Sequence, residues 1–323
     1  MYTNIAVCSI AAYNNLNNDE AAEAARLTKQ RGFTMGKITS FGRFAAATLA
    51  VAGIALSSMA ASAETTLERV KRTGEIRVGF ANEAPFGYQT TDGKLTGEAP
   101  EVAKVVLGKL GVTKVEGVLT EFGALIPGLR AGRFDLIAAG MYITPPRCKQ
   151  VLFSEPSYSI GEAFAVAAGN PKKLGGYEDV AKNPQVKLGV MAGAVEAGYA
   201  RKMGVSEPQL IVFPDGPSAL AGVRTGRVDA YAGTALTIQD LLSKNGDGLE
   251  RAEPFKDPVI DGESIRGYGA FGFRPEDKDF HEAFNKELIA FRGGDAHLAL
   301  VEPFGFTKTE MPERTTADLC AAK

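Results

Sequence analysis

The feature that most constrains this chain is an eight-residue phrase that occurs twice. Gly128-Leu-Arg-Ala-Gly-Arg-Phe-Asp135 is matched by Gly222-Val-Arg-Thr-Gly-Arg-Val-Asp229. In each copy a helical pattern stops at a glycine, a favoured helix terminator, and an Asp opens an apolar strand pattern. One such turn is commonplace. Its recurrence at the same place in a repeated order of elements points to two similar lobes.

That order can be read along the chain. A short apolar run at 75–80 suits a buried strand. The segment 98–111 places Val102, Val105, Val106 and Leu110 at helical spacing, with Gly111 to end the helix. A strand pattern at 114–120, a short helix at 121–131 and a third strand at 134–140 follow. The second half repeats the grammar: strand 187–191, helix 195–204, strand 209–213, helix 217–225, strand 228–233. Strands alternating with helices imply parallel pairing in an α/β layer. Lobes of this kind take ligands between them, at the C-terminal ends of their strands.

Two segments read as connections between the lobes: a mostly apolar stretch at 158–168, and the glycine-spaced aromatic run Arg266-Gly-Tyr-Gly-Ala-Phe-Gly-Phe273. Two crossings make a hinge. The expected division is 64–162 plus 269–323 for one lobe and 163–268 for the other. A helix at 277–292, with Phe280, Phe284, Leu288 and Phe291 on one face, packs the return crossing onto the first lobe.

The N-terminal residues read as processing rather than fold. Lys37 and Arg43, an apolar run at 44–60 and Ala61-Ser62-Ala63 give the charge, apolar core and cleavage site of a secretory signal. The alternative is a membrane anchor, for which the run is short. A lipoprotein anchor is not expected, because no Cys stands at the cleavage site. The signal begins naturally at Met35. Residues 1–34 resemble no targeting segment and are expected to precede the true start. Of Cys8, Cys148 and Cys320, two then remain. Two cysteines in an exported chain can form one disulfide, here from mid-chain to C-terminus. Spacing alone does not decide whether the sulfurs meet.

Composition narrows the chemistry. A net charge of -2 favours neither nucleic acid nor an anionic membrane as a partner. There is no Trp, and His281 and His297 are the two histidines. No CxxC or Cys/His cluster suggests a metal, and no cofactor is expected. The chain is expected to be a monomer.

Several motifs together resemble a known family. They are Gly79-Phe-Ala-Asn-Glu-Ala-Pro-Phe-Gly-Tyr88, Phe122-Gly-Ala-Leu-Ile-Pro-Gly-Leu-Arg-Ala-Gly-Arg-Phe-Asp135, and Thr144-Pro-Pro-Arg147 followed by Phe153-Ser-Glu-Pro-Ser-Tyr158. In wording they are similar to the periplasmic substrate-binding proteins of ABC transporters, in the group that serves polar amino acids. The resemblance covers nearly all of 64–310 and lies nearest to the members that bind ectoine and hydroxyectoine. It implies a two-lobed, closing α/β fold of the type II periplasmic-binding (Venus-flytrap) kind with two hinge crossings. It also implies a periplasmic location, a small zwitterionic ligand, an ABC permease in the inner membrane as partner, and an arginine after the third strand that holds the ligand carboxylate.

That arginine is Arg147, whose guanidinium can hold a carboxylate through two parallel hydrogen bonds. Phe86, Phe122 and Tyr142 follow strands at the same inferred edge and can box a cation; as aromatics they read equally well as core. Glu83 can accept from a ligand N–H, or is a solvated loop charge. In the other lobe the backbone N–H groups of Gly193, Ala194 and Val195, at a helix start, can donate to a carboxylate. Amino-acid binders of the family commonly carry an Asp where this chain has Thr234. A compact ammonium loses its acidic partner there, whereas a ring-delocalised cation such as that of ectoine needs it less. The rival readings are a polar amino acid or a betaine-like solute, and, more remotely, a dehydratase-like enzyme with Glu83 as acid or base. No enzyme activity is expected.

Overall fold

The computed structural model describes residues 64–322; the expected signal segment and the residues upstream of it lie outside the described residues. The described chain opens with helix α1 (Thr66–Thr73), started by a reciprocal Thr65–Glu68 capping box. Strand β1 (Glu75–Phe80), helix α2 (Glu98–Lys109), strand β2 (Lys114–Leu119), helix α3 (Leu125–Arg130) and strand β3 (Leu136–Tyr142) follow. Strand β1 pairs in parallel with both β2 and β3. Helix α2 buries Val102 and Val106 against this layer. All seven residues of β3 are buried, which fits a central strand covered on both faces.

A single-turn helix α4 (Pro145–Cys148) and strands β4 (Leu152–Phe153) and β5 (Tyr158–Ile160) complete the first passage. The chain then crosses at Gly161 into β6 (Glu162–Ala167). The second lobe contains α5 (Tyr177–Lys182), β7 (Leu188–Met191), α6 (Glu196–Lys202), β8 (Leu210–Phe213), α7 (Gly216–Arg224), β9 (Ala230–Thr234), α8 (Ala235–Asn245) and β10 (Leu249–Arg251). The return strand β11 (Gly267–Phe273) leads to α9 (Lys278–Phe291), α10 (Asp295–Val301) and α11 (Thr316–Ala321). The strand orders are β2-β1-β3-β11-β4, with β5 also on β11, and β8-β7-β9-β6-β10.

Pairing is parallel inside each β-α-β unit and antiparallel wherever a crossing strand joins. A strand arriving from the other lobe enters its sheet from the opposite end. The sheets also shift the expected division by a residue or two: Glu162 already belongs to the second sheet, and Gly267 and Tyr268 already belong to the first.

The repeated phrase has one physical job in both lobes. Gly132 and Gly226 adopt φ +70° and +71°, the left-handed turn that releases the chain from its helix. Asp135 and Asp229 then stitch the incoming strand to its neighbour. Asp135 N–H donates to the Arg77 carbonyl at 2.9 Å, and its carboxylate accepts from Arg77 N–H at 3.2 Å. Asp229 does the same with Lys187, at 2.8 Å in both directions. Gly128 and Gly222 lie inside the helices, where the rings of Phe134 and Phe213 fill the space a side chain would take. Phe134 lies in the turn just before β3 whereas Phe213 ends β8, so the lobes share a layout rather than a core.

Candidate functional site

The polar and aromatic groups of the cleft sit at the C-terminal ends of strands or on the loops and helices that directly follow them. After β1, Glu83 and Gly87 bond each other's backbone in a tight loop that presents Glu83 and Phe86. Phe122 opens a 3-10 turn (Phe122–Ala124) just after β2, and Tyr142 is the last residue of β3. Arg147 sits in α4. From the second lobe, Met191 ends β7, Ala194 and Val195 lead into α6, Glu196 is its first residue, and Thr234 ends β9.

These residues line one cavity whose empty space, part of it open to solvent, is about 290 Å³. Its lining contains Glu83, Phe86, Phe122, Tyr142, Arg147, Ala194, Val195 and Thr234, eight of the nine residues expected from sequence, together with Gly140, Met191 and Glu196. Gly193 is not in the lining. Its carbonyl accepts from Arg147 Nη2 at 2.8 Å, while Arg147 Nη1 donates to the Tyr142 carbonyl at 2.8 Å. Gly193 has φ +76°, and a Cβ there would collide with Gly123 of the first lobe. The backbones thus meet glycine to glycine across the cleft. Two side-chain bonds join the lobes beside the cavity: Tyr142 Oη with Thr234 Oγ1 at 2.9 Å, and Thr237 Oγ1 to Glu83 Oε1 at 2.8 Å.

The aromatic residues divide their duties. Phe86 is buried against Tyr158 and Phe306, with ring centroids at 5.1 and 5.6 Å. It is core and cavity wall at once. Phe122 lies under the Arg147 guanidinium, 5.5 Å from ring centroid to Cζ, so that cation already occupies one of its faces. The expected donors at 193–195 are reduced, because Ala194 N–H is taken by the Met191 carbonyl at 3.3 Å.

The cavity is more acidic than its sequence suggested. Among the described residues lining it, Arg147 is the single cation, facing Glu83 and Glu196. Burial pushes Glu83 up to about 7, with the Thr237 hydrogen bond and the Arg147 charge pulling it back. Burial likewise pushes Glu196 up to about 7, against the pull of its own backbone N–H. One Glu196 carboxyl oxygen has no hydrogen-bond partner among the described residues. Burial also lowers Arg147 from its ordinary value.

Position 234 carries no acid, but other positions of the second lobe do. Glu196 supplies one, and Glu162 stands directly opposite Thr234 in the β6–β9 ladder. An acid in the first turn of a helix reads from sequence as a complement to the helix dipole, so Glu196 carried no distinct signal. Glu162 could be placed only by knowing the strand pairing.

Cys148, next to Arg147, and Cys320 of α11 form a disulfide with an S–S distance of 2.02 Å. The C-terminal helix is thereby fastened to the single turn that carries Arg147.

Comparison with known proteins adds an independent line. The model of the bacterial extracellular solute-binding proteins, family 3, matches residues 76–302. A probable amino-acid ABC transporter periplasmic-binding protein of Sinorhizobium fredii is 42% identical over 285 residues, 87% of this chain and 93% of that protein. The crystal structure of EhuB in complex with hydroxyectoine is 39% identical with a TM-score of 0.74, covering 80% of this chain and 99% of that one. The ancestral amino acid-binding protein AncCDT-1, a precursor of cyclohexadienyl dehydratase, is 27% identical with a TM-score of 0.64, covering 74% and 99%.

Proposed function

This chain belongs to the bacterial extracellular solute-binding proteins, family 3, and from that premise we propose that it captures ectoine and hydroxyectoine in the cavity between its lobes. Its work is that of the solute-binding component of an ABC importer for amino acids or related polar solutes, and its relatives are binding proteins rather than enzymes. The finer reading rests on one observation: a single guanidinium, two carboxyls and three aromatic side chains line a cavity of about 290 Å³.

In this reading Arg147 keeps N–H groups for the ligand carboxylate beyond those given to Tyr142 and Gly193. Phe86, Phe122 and Tyr142 receive the ring, and Glu83 and Glu196 accept from the ring N–H groups. Gly193, Ala194, Val195 and Thr234 come in with the second lobe. The closed state is favoured because both lobes then touch the solute, and a permease in the inner membrane reads that shape. The protein acts as a periplasmic monomer, exported through the segment at 35–63, with 64–161 plus 267–323 as one lobe and 162–266 as the other.

One observation favours a second reading. Glu162 and Glu196 give the second lobe the acids that an α-ammonium needs, so a small polar amino acid is the competing ligand. A thermal-shift panel separates the two. Ectoine and hydroxyectoine should raise the melting temperature most, since a ligand that binds only the folded chain stabilises it by mass action. A larger shift with an amino acid would replace the first reading by the second.

A further inference from the structure

Glu162 opens β6 directly after Gly161, on the forward crossing between lobes. Directly paired residues of an antiparallel ladder carry their side chains on one face. Glu162 therefore shares the face from which Thr234 lines the cavity. The residue is 2% exposed. One carboxyl oxygen accepts from the Tyr177 hydroxyl at a long 3.5 Å, and the other has no partner among the described residues. Its backbone N–H donates to Asp257 on the return segment at 2.8 Å, tying the two crossings together.

The ionisable groups around Glu162 are acidic or phenolic: Glu196 and Tyr199 from α6, Asp257 from the return segment, Tyr177 from α5, Tyr231 from β9, and Glu83, Tyr142 and Tyr158 from the first lobe. Three carboxyls, those of Glu83, Glu162 and Glu196, thus gather at a cleft whose lining holds one guanidinium, that of Arg147. A buried charge without a partner is costly, so a closed cleft does not keep all three as carboxylates. A zwitterion brings equal charges of both signs and leaves that imbalance in place.

We propose that Glu162 is a charge-selecting residue that carries a proton whenever the cleft is closed, so that capture of a net-neutral zwitterion takes up a proton from solvent. The proposal rests on the solute-capture reading. Burial first, then the charges of Glu196 and Asp257, push the Glu162 carboxyl well above the usual carboxylate range. Opening hydrates the group and returns it toward that range. Because the closed state holds the raised value, its advantage is complete below the open-state value and is lost as pH rises toward the closed-state value. One proton gives at most about a tenfold change in affinity per pH unit. A ligand of net positive charge needs no such proton, so selectivity shifts toward cations as pH rises.

The test is calorimetry of ectoine binding at one pH in two buffers with different heats of ionisation, which counts protons taken up per ligand. The wild-type chain should take up protons, and Glu162→Gln should take up about one fewer. Equal counts in the two proteins overturn the proposal. If the variant does not fold, binding by the wild type without proton uptake is equally fatal, and uptake lost entirely in Glu83→Gln and Glu196→Gln overturns the assignment to Glu162, whereas uptake that persists in both upholds it. If ectoine and hydroxyectoine give no heat while proline or glycine betaine does, the ligand reading falls, and the same two-buffer count with that solute decides the proton.

Discussion

Arg147 Nη2 donates to the Gly193 carbonyl at 2.8 Å, from one lobe to the other. The residue assigned to the ligand carboxylate is thus also a direct tie across the cleft. Arg147→Ala removes both the charge and the tie. Truncating a hydrogen-bonded, desolvated charge costs about 2–5 kcal/mol, so calorimetry should show affinity falling by orders of magnitude. Arg147→Lys should recover little, because an ammonium cannot reproduce the planar fork.

The glycine contact predicts an asymmetry. A Cβ on Gly193 would strain its φ of +76° and collide with Gly123, whereas a Cβ on Gly123 would meet the Ala192 carbonyl at an ordinary 3.5 Å. Gly193→Ala should weaken binding at least about tenfold, matching the roughly 1–3 kcal/mol of a strained backbone site, and leave the chain extended in small-angle scattering with ligand present. Gly123→Ala should close and bind nearly as the wild type.

Tyr142 and Thr234 share a buried hydrogen bond at 2.9 Å between lobes. Tyr142→Phe and Thr234→Val should each cost about 1 kcal/mol of binding. The double variant should cost much less than the sum, since either change alone leaves the partner hydroxyl buried and unpaired. Additive losses in the cycle would mean that the two hydroxyls act independently.

The Cys148–Cys320 bridge closes a loop of sequence separation 172. A loop of that length constrains the unfolded chain by about 5 kcal/mol in the chain-entropy account. Guanidinium unfolding of the Cys148→Ser, Cys320→Ser double variant should show a loss of that order at most, and reductant should lower the wild type toward it while leaving the variant unchanged.

Glu98 supplies a pH signature distinct from the cavity. It is 1% exposed, and neither carboxyl oxygen has a hydrogen-bond partner among the described residues. Burial pushes it up to about 8. A raised folded-state value favours the protonated form, so the contribution is complete below the unfolded value near 4.5 and is lost as pH climbs to about 8. Each unit in that window removes up to about 1.4 kcal/mol. Denaturation from about pH 5 to about pH 8 should show the decline, and Glu98→Gln should make it shallower, leaving the share of Glu83 and Glu196.

Local pattern carried much of this structure. The two Gly-x-Arg-x-Gly-Arg-x-Asp turns announced the paired lobes, because each residue acts within a few positions of its neighbours or on the adjacent strand. Arg147, Glu83 and the aromatics were legible because they sit at strand ends, which alternating β-α grammar locates. What stayed hidden was set by distant pairing. Glu162 matters because β6 runs antiparallel to β9 and sets it opposite Thr234. Phe306 matters because α10 and the turn after it bring it onto Phe86. The acids of the second lobe stayed hidden for the same reason: they come from Glu196 and Glu162, not from position 234.

What fills the cavity decides the function of this protein. Titrating ectoine and hydroxyectoine into the wild-type chain and into Arg147→Ala, against proline, glycine betaine and the polar amino acids, tests it in one series. The prediction is tight, saturable binding of the two cyclic solutes to the wild type, recovery of the solute chemically unchanged, and loss of that binding in Arg147→Ala. Tighter binding of an amino acid than of either cyclic solute, or wild-type affinity in Arg147→Ala, would contradict it.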